Sequence, residues 1–138
     1  MTASISVLLG YTAWTLALVF GYVLYRTGVV MLGKTPANSW TRGAQTWQDP
    51  PVITRIQHAH LNCVENLPLV AAVILAAQAL GQGAVTDGLA CWLLAARIAQ
   101  SVVHIIAVNH WMVFLRATLW TVQALILIWW LLKLGQLV

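Results

Sequence analysis

Arg55, His58, Asn62 and Glu65 follow one another at steps of three, four and three within Arg55-Ile56-Gln57-His58-Ala59-His60-Leu61-Asn62-Cys63-Val64-Glu65-Asn66-Leu67-Pro68. At about 100° per residue, those steps place a guanidinium, an imidazole, a carboxamide and a carboxylate on one narrow helical face, while His60 points elsewhere. Such a set can bind anionic groups, accept an ammonium and move protons. Yet the segment runs straight into Leu69-Val70-Ala71-Ala72-Val73-Ile74-Leu75. The three-then-four spacing returns in Arg97, Gln100 and His104, and the reverse order in Arg116, Trp120 and Gln123. Three apolar segments therefore each carry one polar stripe.

A charged group near the middle of a membrane helix costs about 2.5–3.5 kcal/mol on insertion scales, so the stripes must face one another or a wet cavity. Glu65 is the only acid at depth, and its expected partner is Arg97, because both lie near the middle of their segments. One carboxylate cannot neutralise Arg26, Arg55, Arg97 and Arg116 together. The positive surplus implies an anionic ligand. Any single member of the set is as readily structural glue between helices as a ligand contact; the set as a whole, with its excess of cations, favours a binding site. His58-x-His60 with Cys63 suggests a metal site at first sight, but residues two apart on a helix point about 200° apart and cannot chelate together. No metal site is expected.

The elements that position these residues follow from composition. The chain is 61% hydrophobic and 7% charged, with three acids in 138 residues, and its mean hydropathy is +0.83. Those values and the apolar runs indicate an integral membrane protein of one domain, residues 1–138. Four spans are predicted, at about 5–32, 51–80, 89–108 and 112–134. The first run has no small-residue cleavage site and reads as a retained span. Helices are the default because a lone strand would leave backbone groups unpaired in lipid. The predicted class is all-α, a four-helix membrane bundle.

Asp49-Pro50-Pro51 reads as the start of the second helix, Asp capping and Pro in the first turn. Asp87-Gly88 reads as the lead-in to the third. Pro68 should bend the second helix. Cys63 and Cys91 read as small buried apolar residues. The tryptophans read as interfacial anchors or lipid-facing bulk, Trp40, Trp47 and Trp111 at one interface, Trp129 and Trp130 near the other. Arg26, Lys34, Arg42 and Arg55 cluster at the first loop and Arg116 near the third, against Lys133 alone on the other side. The positive-inside rule then puts those loops in the cytoplasm and both termini outside; a bacterial inner membrane is the expected location. The net charge of +4 arises from few acids and scattered cations, so no nucleic-acid partner is expected.

His58-Ala59-His60-Leu61-Asn62-Cys63-Val64-Glu65-Asn66-Leu67-Pro68-Leu69 resembles the second-helix signature of the MAPEG family, the membrane-associated proteins in eicosanoid and glutathione metabolism. Ala95-Ala96-Arg97-Ile98-Ala99 is similar to that family's third-helix Arg motif, and Leu115-Arg116-Ala117 to the Arg that opens its fourth helix. The resemblance implies a homotrimer of four-helix protomers, similar to microsomal glutathione transferases, with glutathione bound between subunits near the cytoplasmic face. By motif position its implied ligand contacts are Arg55, Asn62, Glu65, Arg97 and Arg116, and Arg26 matches a first-helix Arg; His58 joins the binding set from the second-helix stripe, and Arg116 and His104 are read as the catalytic residues. Glutathione fits the residue types: its two carboxylates suit guanidinium forks, its amino group suits Glu65, and its thiol needs a nearby cation or donor to ionise. His58 stands where the family often has Arg, and His104 where it often has Tyr. The leading function is a glutathione-dependent transferase or peroxidase acting on lipophilic electrophiles. A small-molecule transporter and a thiol-binding scaffold without chemistry are the alternatives, separated by proteoliposome flux and by binding without turnover.

Overall fold

The computed structural model describes residues 1–137. Four long helices run up and down: α1 (Ala3–Met31), α2 (Pro51–Ala79), α3 (Gly83–Ile106) and α4 (His110–Leu134). All four are long and apolar enough to cross a membrane; at 1.5 Å per residue, the 29 residues of α2 extend about 43 Å. α1, α2 and α3 pack mutually, whereas α4 packs along α3 and meets α2 only briefly. The result is a three-helix core with a fourth helix leaning on one side, leaving a cleft between α2 and α4.

The core is small-residue and aromatic. Ala59, Cys63, Val70 and Ile74 of α2 meet Tyr11 and Leu18 of α1 and Ala90 and Leu93 of α3. α4 contributes Ile126 and Trp130. Trp130 has no exposed surface, a correction to its reading as an interfacial residue: its register places it on the α3-facing side of α4, beside the lipid-facing Trp129. Cys63 is buried as expected, but Cys91 is exposed, because it lies one position from core residue Ala90 and so on the outer side of α3. Leu9, Leu16, Phe20, Leu24, Leu125 and Ile128 are also exposed, an apolar exterior suited to acyl chains.

Helix ends set the connections. α1 and α2 both close on a glycine in the left-handed region, Gly33 (φ 68°) and Gly81 (φ 68°), where an L side chain would be strained. After Gly81 the chain resumes a helix at once, so α3 begins at Gly83 and not near Leu89. Asp87 therefore lies inside α3 instead of leading into it. Its carboxylate accepts from the Ser4 amide at 2.8 Å and the Ser4 hydroxyl at 2.7 Å, satisfying a donor that the first turn of α1 leaves unpaired. Gln78 adds a bond from Nε2 to the Ser4 hydroxyl at 3.2 Å. Three helices are clasped at that end.

Asp49 also departs from expectation. α2 carries Pro at its first position, but no side chain caps it. Asp49 instead accepts from Arg26 Nε at 2.9 Å and Trp40 Nε1 at 3.0 Å. A carboxylate that caps gains one amide donor; here it gains a guanidinium and an indole, which is the stronger arrangement. Arg26 further donates to Gln57 Oε1 at 2.7 Å and lies over the Tyr22 and Trp40 rings. The first loop, with its 3-10 turn at Ala37–Trp40, is thereby tied to α1 and α2. α2 continues through Pro68 without interruption.

Candidate functional site

The α3 and α4 stripes face each other in antiparallel register. Gln123 Nε2 donates to Gln100 Oε1 at 3.0 Å, and Arg116 Nη1 contacts His104 Nδ1. A guanidinium only donates, so Nδ1 accepts and the proton of the neutral imidazole sits on Nε2. That Nε2 is buried without a partner. The ring edge of His104 meets His58 of α2, with centroids 6.0 Å apart. Arg55, one turn before His58, sends its Nε to the Ile105 carbonyl at 2.7 Å, using a carbonyl that the frayed end of α3 leaves free.

Three hollows follow one another along α2 beside these contacts. At the first-loop end a polar mouth of about 540 Å³ is lined by Asp49, Thr54, Arg55, His58 and His104. Behind the Arg116–His104 contact, a recess of about 300 Å³ holds Asn62, Gln100 and Arg116, with Trp120 as its far wall. Trp120 also borders an apolar groove of about 410 Å³ between Leu69 and Val73 of α2 and Leu127 and Leu131 of α4. The cleft thus grades from charged to hydrocarbon-like along one line.

Arg97 lies at the inner side of that groove and is 1% exposed. It does not pair with Glu65, as the sequence suggested. Its Nη1 donates to the Asn62 carbonyl at 3.3 Å, its plane lies 5.6 Å from the Tyr11 ring, and its Nε has no partner. Glu65 is instead exposed on the outside of the protomer. The physical reason is angular: Glu65 is six residues from the buried Ala59, hence about 120° around the helix from the face that meets α1 and α3. Among the described residues the one salt bridge is Arg26–Asp49. Arg55, Arg97 and Arg116 consequently have no carboxylate partner there, and neither does Glu65 a cation.

The structure brings Arg55, His58, Asn62, His104 and Arg116 together, with Arg97 next to them deeper in the cleft. Arg26 lies apart, in a separate recess with Val23, Val30 and Trp40. His60 faces α1, where Tyr22 lies 3.4 Å from its Nδ1. Two participants were missed from sequence. Tyr11, the aromatic face under Arg97, sits among apolar residues and gives no polar signal. Asn66, which lines the apolar groove and donates to the Asn62 carbonyl at 2.9 Å, was readable, since it repeats the Asn62 face at a step of four. Among the described residues no group of three His, Cys, Asp or Glu side chains is placed to hold a metal ion.

A search of curated proteins and of solved structures found no match. The MAPEG family model matches residues 4–135, all of the helical bundle but its first residue and every residue of the cleft. Four apolar helices with that match make this a multi-pass integral membrane protein, and the chain belongs to the MAPEG family.

Proposed function

We propose that this protein is a glutathione-dependent transferase or peroxidase that conjugates or reduces lipophilic electrophiles, working as a homotrimer. The observation that carries the reading is the graded cleft: a cationic mouth and recess followed along α2 by an apolar groove, with Trp120 lining both recess and groove. A polar thiol and a membrane-soluble electrophile would meet at that boundary. Charge supports the first substrate. Three guanidinium groups without carboxylates, Arg55, Arg97 and Arg116, and one carboxylate without a cation, Glu65, complement a tripeptide thiolate bearing two carboxylates, a thiolate and one ammonium.

In this reading Arg55, His58, Asn62, Arg97 and the Glu65 carboxylate hold glutathione, and Arg116, steadied by His104, stabilises the thiolate. Arg26 is left outside the ligand set, because Asp49 and Gln57 engage its guanidinium. The exposed mid-helix position of Glu65 supports assembly: a carboxylate left in acyl chains costs about 2.5–3.5 kcal/mol, and a second copy offers the polar surface that removes this cost. The mouth lies at the first-loop end, where Lys34 and Arg42 also lie, so the site is assigned to the cytoplasmic side of a bacterial inner membrane. A membrane pocket filled by diffusion of both substrates supplies proximity and a cation for sulfur; no further cofactor enters the proposal.

The test is turnover in nanodiscs with glutathione and either a chlorinated nitroaromatic or a lipid hydroperoxide. Conjugate or alcohol formation that scales with protein is expected. Intact oligomers that show neither, across several thiols and electrophiles, would contradict the proposal. Glutathione-independent flux in proteoliposomes, lost on Glu65→Gln, would point to transport instead.

A further inference from the structure

We propose that His58 is the general base of this enzyme, taking the thiol proton as glutathione ionises; the proposal rests on the glutathione reading above. Asp49, His58 and His104 are the proton acceptors that line the polar mouth. Asp49 is engaged by Arg26 and Trp40. His104 has its lone pair on Nδ1 turned to Arg116 and its Nε2 buried. Neither can accept a proton without first losing a partner. His58 has an exposed ring at the mouth and no hydrogen-bond partner among the described residues. Glu65 and His60 line no part of the cleft, and His110 lies at the start of α4 against Trp111.

The surroundings favour the exchange. Arg55 lies one turn earlier on the same helix, His104 faces the ring from α3, and Arg116 stands behind His104 on α4. From the loop side Asp49 is neutralised by Arg26, and Gln45, Gln48 and Thr54 complete the mouth. An arriving glutathione brings negative charge that balances these cations. A partner-free imidazole nitrogen can take the proton of a thiol whose ionisation Arg116 assists.

In the transfer step the S–H bond breaks and its proton passes to a ring nitrogen of His58. The sulfur electron pair forms the S–C bond to the electrophilic carbon. With a chlorinated nitroaromatic the C–Cl bond then breaks and chloride leaves with the bonding pair. Only after chloride has left does the imidazolium return its proton to water at the open mouth.

The experiment uses the full chain in nanodiscs with glutathione, followed by the ultraviolet absorbance of the thiolate and by a pH indicator in weak buffer near neutrality. Wild type is expected to form thiolate while releasing well under one proton per site to the buffer. His58→Gln is expected to release one proton per thiolate and to turn over about 10²-fold more slowly, the lower end of a general-base contribution. External imidazole is expected to restore part of the rate to His58→Ala and leave wild type unchanged. His58→Arg places there the guanidinium the family often has but lacks a base, and it carries the same prediction should His58→Gln fail to assemble. Proton release and turnover equal to wild type in these variants would overturn the role of His58 and leave the glutathione reading standing. Absence of thiolate and turnover in wild type would overturn both.

Discussion

Glu65 offers a test whose sign decides where its carboxylate points. It sits at the centre of α2, fourteen residues or about 21 Å from the helix start, and on the outside of the protomer. If that side faced lipid, Glu65→Leu would remove a charge costing about 2.5–3.5 kcal/mol and stabilise each protomer by that amount. If it faces a neighbouring copy and the ammonium of a bound thiol, the same change removes one side of a desolvated charge pair, at a cost of about 3–5 kcal/mol. The two expectations have opposite signs and lie about 5.5–8.5 kcal/mol apart, far outside the error of a stability measurement in bilayers. Subunit exchange by energy transfer in nanodiscs, with unfolding in mixed micelles, reads the effect. We expect Glu65→Leu to loosen the assembly and abolish glutathione protection, with Glu65→Gln intermediate. A variant that is more stable than wild type and equally oligomeric would refute the interface placement.

Arg116→Ala should lower kcat by about 10²–10³-fold, the effect of removing one donor from a developing anion, while thiol affinity falls less than tenfold; stopped-flow thiolate formation and equilibrium binding separate the two. Gln123→Leu leaves Gln100 Oε1 without its donor, and the coupling in a cycle with Gln100→Leu should be about 0.6–1.7 kcal/mol, as for interhelical bonds in membranes; no coupling in unfolding free energies would contradict the α3–α4 register. Asp49→Asn removes the charge of a carboxylate only 1% exposed and leaves Arg26 without an anion, and it should cost about 3–5 kcal/mol in unfolding assays and release the first loop to proteolysis.

Much of the arrangement was legible from spacing. The three-and-four steps named which residues share a face on α2, α3 and α4, and the α3–α4 contacts Gln100–Gln123 and His104–Arg116 are what facing stripes must produce in antiparallel helices. Periodicity does not say which helix a face meets. Glu65 and Arg97 share only their depth in the bundle; the α2 stripe runs along the rim of its core face, so Arg55 turns in towards α3 while Glu65 turns out. Loop geometry was equally hidden: nothing in Asp49-Pro50-Pro51 announces that Arg26, more than twenty residues earlier, would take the carboxylate from a capping role. Asp87 shows the same limit, a local start signal overridden by a long-range bond to Ser4. Trp130 and Cys91 exchanged their expected surroundings because in a membrane both core and exterior are apolar, so hydrophobicity alone does not separate them.

A structure of the protein in nanodiscs with bound glutathione tests the central idea most directly. The sulfur is expected beside Arg116 and the His58 ring, the carboxylates on Arg55 and neighbouring guanidinium groups, and the ammonium against a Glu65 carboxylate between subunits. Glutathione seated elsewhere, or an α2–α4 cleft that stays free of it at saturating concentration, would contradict the account.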